Sequence, residues 1–494
     1  MKRPALALAL ICLFATPAVH ANAKTEKATS ALEFTSSDQR LMQSFDWAKS
    51  QAMAYVFSVD PVGLWYEAAL PGREAFCMRD VSHQSMGAQA LGLAAYTHNM
   101  LYLFAKNISA SRNWCSYWEI DRNSRPAPVD YQSDAAFWYN LPANFDVLDS
   151  SYRMYLWTGD LSYIDDPVFV NFYDRTMSDY VKQWDLAPDR IMTRQRWLFP
   201  LTEEERREQE GASKFRRGIP GYNESDKTYV VGIDLLATQY AAYRDYAEIE
   251  LMRGDTAASE EASAHASAVK NLINSTWWNA KENHFYSALD QNHHLKGRDA
   301  AAVLYRDAAD DDLKMKSALA DLLTAVQHRS RCGVEGESHD AEILYRYGAP
   351  DAAYKVILDL TAPGHCRQEY PEVSYSVIGA ITTGLMGVNI VPSPSRAIQT
   401  LSALTHQTDW AEIRNLPIGR NSVQIRHNGL HETVFTNQSG PALIWQAAFP
   451  GTYSQLLVNG KHVKAHSEKE RLTPISWVRI PVGAGDTVHV AVSQ

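Results

Sequence analysis

From Ser36 to about Thr400, apolar residues recur every three or four positions in segments separated by polar loops; beyond Thr400 the recurrence shortens to every second residue. The first spacing places apolar side chains along one face of a helix, the second along one face of a strand. Helical patterns cover roughly residues 37–59, 82–96, 98–109, 134–157, 161–184, 228–252, 257–276, 299–307, 310–328, 338–347, 350–361 and 372–387, twelve in all. Short alternating runs follow at Ser422–Arg426, Thr433–Thr436, Ala442–Ala448, Ser454–Val458, Trp477–Ile480 and Thr487–Val492, divided by turn signals such as Asn428-Gly429 and Asn459-Gly460.

The connections between helices alternate in length. Short turns (96–98, 157–160, 253–255, 306–309, 347–351) take turns with long polar segments (60–81, 110–133, 185–227, 277–298, 329–337, 362–371). In an up-and-down array alternate connections lie at opposite ends, so all six long ones share one end. Helices entered from long loops, such as Ala135–Met154, Tyr229–Tyr243 and Val373–Met386, carry less charge than partners such as Asp311–Leu323, which are charged on one face. The pattern predicts a mainly α fold: an (α/α)6 toroid with six apolar inner helices, six amphipathic outer helices and a mouth covered by long loops. Residues 24–400 form this barrel, and 401–494 a small C-terminal antiparallel β-sandwich docked on it.

Composition adds an address. Residues 1–23 begin with Lys2 and Arg3, continue through an apolar run from Ala5 to Ala15 and end in Ala21-Asn22-Ala23, the layout of a cleaved secretory signal peptide too short to span a bilayer. The expectation is a periplasmic or secreted protein. The net charge of −10, more negative once Lys2 and Arg3 leave, argues against nucleic acid and anionic membranes as partners. No later segment suits membrane insertion, and the expected state is a monomer or simple homo-oligomer. Cys77, Cys115, Cys332 and Cys366 are too scattered for a disulfide scaffold; among three pairings, Cys332 with Cys366 is the easiest. Neither C-x-x-C nor H-E-x-x-H spacing occurs, so neither metal nor cofactor is expected.

The candidate chemistry lies in the long loops. In Arg73–Gly92 a dense polar turn containing Arg79, Asp80 and His83 runs directly into a small-residue apolar helix. Glycoside hydrolysis needs one carboxylic acid to protonate the departing oxygen and one carboxylate to activate water or attack the sugar. The loops offer Asp80, Glu119, Glu224, Asp226, Glu335, Glu337, Glu369 and Glu372, with Trp118, Arg194, Arg196 and Trp197 nearby to stack on sugars or bridge hydroxyls. Each has a plainer reading. Asp80, and likewise Glu224 or Asp226, could cap the helix it precedes. Glu372 could cap the last inner helix, which leaves Glu369 as the base. His83 and His339 read as hydrogen-bonded pocket walls, and Glu337 as a sugar contact or a cap.

Several of these motifs resemble known families. The (α/α)6 glycosidases of the α-L-rhamnosidase kind have an Arg-Glu pair after a Cys at the entry to the first inner helix, and Cys77-Met78-Arg79-Asp80 is similar with Asp for Glu. Trehalases carry a Glu-Ser-Gly-Trp-Asp acid motif in the third long loop; here Tyr222-Asn223-Glu224-Ser225-Asp226 lacks the Gly-Trp and precedes a similar inner helix, VVGIDLLATQYAAY. Both groups place the base in the last long loop, which reads Arg367-Gln368-Glu369-Tyr370-Pro371-Glu372 here. The first resemblance implies Asp80 as acid and the second Glu224 or Asp226. Together they imply a glycosidase releasing terminal sugars from an oligosaccharide, inverting in outcome. A polysaccharide lyase with Tyr222 or Tyr370 as base and Arg196 facing a uronate, or a non-catalytic oligosaccharide binder, are the alternatives.

Overall fold

Six helices that are largely buried pack side by side, and each is followed or preceded in the chain by a helix that is wetter on one side. The computed structural model describes residues 28–195, 217–224, 228–328, 333–392 and 396–493; the predicted signal segment lies outside them. In chain order the helices of the array are α1 (Gln39–Ala54), α2 (Met78–Ala90), α3 (Ala94–Lys106), α4 (Pro142–Thr158), α5 (Pro167–Arg175), α6 (Ile233–Arg253), α7 (Thr256–Ser275), α8 (Ala301–Tyr305), α9 (Asp312–His328), α10 (Val334–Arg346), α11 (Pro350–Leu360) and α12 (Pro371–Gly379). The even-numbered helices pack on one another in the order α2, α4, α6, α8, α10, α12, and α12 packs back on α2.

The approach of α12 to α2 depends on small residues. A Cβ on Gly87 would stand 2.0 Å from the carbonyl oxygen of Tyr375, so only glycine permits this spacing. Just after α12 the backbone widens into a π-helical stretch, Ala380–Leu385. Among the described residues each of the twelve expected helical segments overlaps one of these helices, with shifted starts, and the segment expected at 161–184 is broken into Ser162–Asp165, Pro167–Arg175, the π-helical Thr176–Tyr180 and Val181–Gln183.

The shifts have local causes. Helix α2 begins at Met78 rather than near 82, because strand Ala75–Cys77 pairs with Glu119–Asp121 and delivers the chain directly into the first turn. Met78 N–H is satisfied by the Trp118 carbonyl at 3.0 Å, and Asp80 sits in that turn, where a carboxylate suits the positive end of the helix. Helix α10 begins at Val334, which moves Glu335 and Glu337 from a loop into a first turn. Helix α4 begins only at Pro142, whose fixed φ suits a helix start, after short strands that use residues 131–140. Helix α6 begins at Ile233, because Tyr229–Gly232 pairs with Ala288–Asp290.

The strand region holds two sheets. In the seven-stranded sheet, Glu33–Ser36 from the N-terminal side pairs with Trp410–Ile418, so the chain before α1 joins the sheets beyond residue 400. The five-stranded sheet begins at Asn389–Val391 and includes one parallel pair, Ala397–Leu401 with Leu443–Pro450; its other pairs are antiparallel. The turns foreseen at Asn428-Gly429 and Asn459-Gly460 close hairpins, with Gly429 at φ +58° and Asn459 and Gly460 both at positive φ. Helices and sheets are joined by directional contacts: Arg471 pairs with Asp307, His427 Nε2 lies 3.0 Å from the Met386 carbonyl, and Gly419 N–H reaches the Trp157 carbonyl at 2.7 Å. Cys366 is disulfide-bonded, the partner foreseen for it (Cys332) lying outside the described residues, while Cys77 and Cys115 are free and buried. Among the described residues no helix is long and apolar enough to cross a membrane.

Candidate active site

A cavity of about 620 Å³ opens among α2, α6, α8 and α10 and the long connections that enter them. Its polar lining comes from Arg79 and His83 on α2, Tyr222 and Asn223 on the third long connection, Asp234 on α6, and Lys296 and Asp299 ahead of α8. Tyr305 and Arg306 at the end of α8, Glu335 and His339 on α10, and Tyr229, Thr238 and Ser287 complete it. Arg79 and His83 are one helical turn apart, so both side chains leave the same face of α2. Asp80, one residue on, turns away.

Five of the sequence-predicted residues converge at this wall. Arg79 Nε donates to Asp80 at 3.1 Å, and Tyr370 O–H donates to the other Asp80 oxygen at 3.1 Å. Glu372 Oε1 lies 3.1 Å from His339 Nε2, 3.3 Å from Ser338 Oγ and 3.6 Å from His83 Nδ1. Both carboxyls are buried, one layer behind the cavity. Burial pushes Asp80 up to about 7, against the pull of Arg79 and with a further push from Glu372. Burial likewise raises Glu372 to about 7, with Arg79 opposing. The two histidines go the other way: burial holds His339 down to about 4 and His83 well below its usual range, so both imidazoles are neutral near pH 7.

The remaining predicted residues disperse. Glu119 is buried in the strand beside Cys77 and salt-bridged to Arg73 at 3.0 Å; burial and the neighbouring Asp130 push it up to about 10. Trp118 is buried in the same connection. Arg194 is not a cavity residue. Its side chain is buried and donates to the carbonyls of Trp184 and Val230, which ties the 185–195 segment to the strand before α6. Glu337 faces His365 Nε2 at 3.3 Å rather than the cavity. Glu369 is exposed on the loop, and Glu224 follows Tyr222 in a turn outside the cavity lining. Asp226, Arg196 and Trp197 lie outside the described residues. The capping reading of Glu372 does not hold either, since its carboxylate reaches α10 and α2 instead of its own helix start.

The cavity also exposes Asp234, which stands outside every motif singled out above, and Glu335, one of the candidate loop carboxylates. Asp234 accepts the backbone N–H groups of Tyr222 and Leu235, and burial, with Asp299 adding to it, pushes it up to about 7. Glu335 forms a two-pronged pair with Arg367, at 2.8 and 3.3 Å. Below the cavity Asp146 and Asp149 on α4 bind Arg306, and the Tyr222 hydroxyl donates to Asp146. Two aspartates three residues apart in the buried helix Pro142–Thr158, with Arg153 one turn beyond Asp149, were a readable sign of this buried network.

With this geometry in view, the chain is similar in fold to six-hairpin glycoside hydrolases. Neither a protein-family model nor a curated protein matches it in sequence. Among solved structures, it is similar to the α-L-rhamnosidase from Dictyoglumus thermophilum at 15% identity and TM-score 0.59, over 94% of this chain and 51% of that one. The Streptomyces avermitilis α-L-rhamnosidase complexed with L-rhamnose aligns at 12% identity and TM-score 0.56, over 94% of this chain and 42% of that one. A structure titled sialidase aligns at 10% identity and TM-score 0.54, over 90% of this chain and 41% of that one. The chain thus spans about half or less of the length of these proteins. At such identities the likeness concerns the fold.

Proposed function

We propose that the protein is an exported glycoside hydrolase whose inner helices close into an (α/α)6 toroid and whose cavity holds the terminal sugar of an oligosaccharide. The observation that carries this reading is the cavity itself, where Asp234 and Glu335 face the same space from the first turns of α6 and α10, on either side of the short helix α8. A general acid must touch the reacting oxygen and keep its proton near neutral pH. Asp234 meets both requirements, being raised to about 7 and part of the lining. Glu335, held beside the Arg367 guanidinium, supplies the carboxylate that takes a proton from water as it attacks the anomeric carbon. The leaving oxygen takes the proton of Asp234 as its bond to that carbon breaks. Direct attack by water in this way inverts the anomeric centre.

Asp80 and Glu372 then act from behind the wall. Asp80 fixes the Arg79 guanidinium, and Glu372 fixes His339, so both are positioning residues for groups that contact sugar hydroxyls. Tyr222 and Tyr305 offer aromatic surface beside them. Export rests on the signal-peptide pattern of residues 1–23. A panel of aryl glycosides and plant or microbial oligosaccharides offered to the mature protein tests the reading: release of a reducing sugar supports it, and no release from any member overturns it.

One observation favours a second reading. Arg79 lies over the Tyr222 ring at 5.4 Å from its centroid, His83 packs edge-on against the same ring, and Asp146 accepts its hydroxyl proton. A tyrosine beside a cation could abstract a proton α to a uronate carboxyl, the first step of a lyase, although burial and Asp146 hold its own proton more tightly than in a free phenol. Ultraviolet absorbance from a new C=C bond in the product identifies that outcome, since hydrolysis produces none.

A further inference from the structure

Three side chains from separate helices bring metal-ligating atoms together at the cavity wall: His83 from α2, His339 from α10 and Glu372 from α12. Each offers one such atom, and all three lie within 4.8 Å of one another. Two of the separations, 3.1 Å from His339 Nε2 to Glu372 Oε1 and 3.6 Å from His83 Nδ1 to the same oxygen, bracket the edge of a zinc tetrahedron. That edge is about 3.3 Å for metal–ligand bonds near 2.05 Å. The two imidazole rings meet edge to face, at 82° with centroids 4.2 Å apart.

Two further observations, independent of that spacing, point to a ligand. His83 Nδ1 and Glu372 Oε2 are buried without a hydrogen-bond partner, a costly state for polar atoms that a cation would relieve. The layer behind is also built. Asp146 lies 3.9 Å from His83 Nε2, and a carboxylate there favours the proton on Nε2 and leaves the Nδ1 lone pair facing Glu372. Ser338 donates to Glu372. The nearby guanidinium groups are paired, Arg79 with Asp80 and Arg306 with Asp146 and Asp149.

We infer that His83, His339 and Glu372 bind one divalent transition-metal ion of the zinc type, with its open coordination positions facing the cavity. Two imidazoles and one carboxylate suit zinc and its neighbours better than calcium or magnesium. The expectation of no metal rested on local spacing, whereas these ligands are 256 and 33 residues apart in the chain. The ion's role, anchoring two vicinal hydroxyls of the sugar, rests on the hydrolase reading; its binding does not.

Titrating untagged protein with Co2+ alone, read by visible absorbance, tests the site directly. The account expects one Co2+ per chain with a d–d band, displacement by Zn2+, and a rise in melting temperature with Zn2+. His83→Ala and His339→Ala each weaken binding by at least a hundredfold. Failure of the native protein to bind one equivalent overturns the site whether or not the variants fold, and so does native-like binding by folded variants. Turnover of a glycan by metal-free protein sinks the hydroxyl-anchoring role while sparing the hydrolase reading; stoichiometric Co2+ with no turnover of any glycan sinks the hydrolase reading, and the anchoring role with it, while sparing the metal site.

Discussion

Glu372 Oε1 lies 3.1 Å from His339 Nε2, a contact that joins the first turn of α12 to α10, 33 residues earlier in the chain. It orients a histidine of the cavity wall through a carboxylate that does not itself reach the cavity. Glu372→Ala releases that histidine, and loss of such a support typically costs 10- to 100-fold. Steady-state kinetics on the responsive glycoside should show the loss, with circular dichroism unchanged.

Asp234 sets the alkaline limb of the pH profile. As the acid it must keep its proton, so kcat/KM falls as pH rises through about 7. Asp234→Asn loses roughly 10²- to 10⁴-fold in kcat and flattens that limb. A limb that survives unchanged in the variant assigns the proton to another group.

The same carboxyl predicts a stability effect of opposite sign. Its folded pKa is raised from 3.8 to about 7, so the folded state holds the proton more tightly than the unfolded one. Stability therefore declines as pH rises from about 4 to 7, and the full penalty is present above that window. Asp234→Asn removes the ionisation, and at pH 8 it should unfold at higher urea than the native protein, by up to about 4 kcal/mol. At pH 4 the two should coincide.

How much of this was legible in the sequence differs between fold and site. The 3.6-residue periodicity and the alternating loop lengths report burial and connectivity directly, and they gave twelve helices and the two-residue period of the sheets. Helix starts were misplaced where a short strand took over, as at Tyr229–Gly232, because pairing with Ala288–Asp290 is a long-range event that local pattern does not encode. At the site, the polar turn led to Arg79, Asp80 and His83, yet one residue decides which faces the cavity, and the helix start at Met78 sets that phase. Asp234 was hidden because it stands within an apolar helical run, and Arg194 misled because a buried arginine bonded to carbonyls has the same letter as one that binds sugar.

The contact between α2 and α12 is fixed by Gly87. Gly87→Ala drives a methyl into the Tyr375 carbonyl and forces the helices apart, with an expected loss of about 1–3 kcal/mol. Urea denaturation measures it, and the rotation of Arg79 and His83 should lower activity as well.

Beneath the cavity, Arg306 neutralises two buried aspartates. Arg306→Met leaves Asp146 and Asp149 without that partner and should destabilise the protein by about 3–5 kcal/mol at pH 7. The loss should shrink toward acid pH, where the aspartates take up protons.

The most direct test compares the native protein with Asp234→Asn and Glu335→Gln on one oligosaccharide it cleaves, following reducing-sugar release and ultraviolet absorbance together. The hydrolase account predicts reducing sugar without absorbance from the native protein and a loss of at least a hundredfold in each folded variant. Full activity in both variants, or a product carrying a C=C bond, would contradict it.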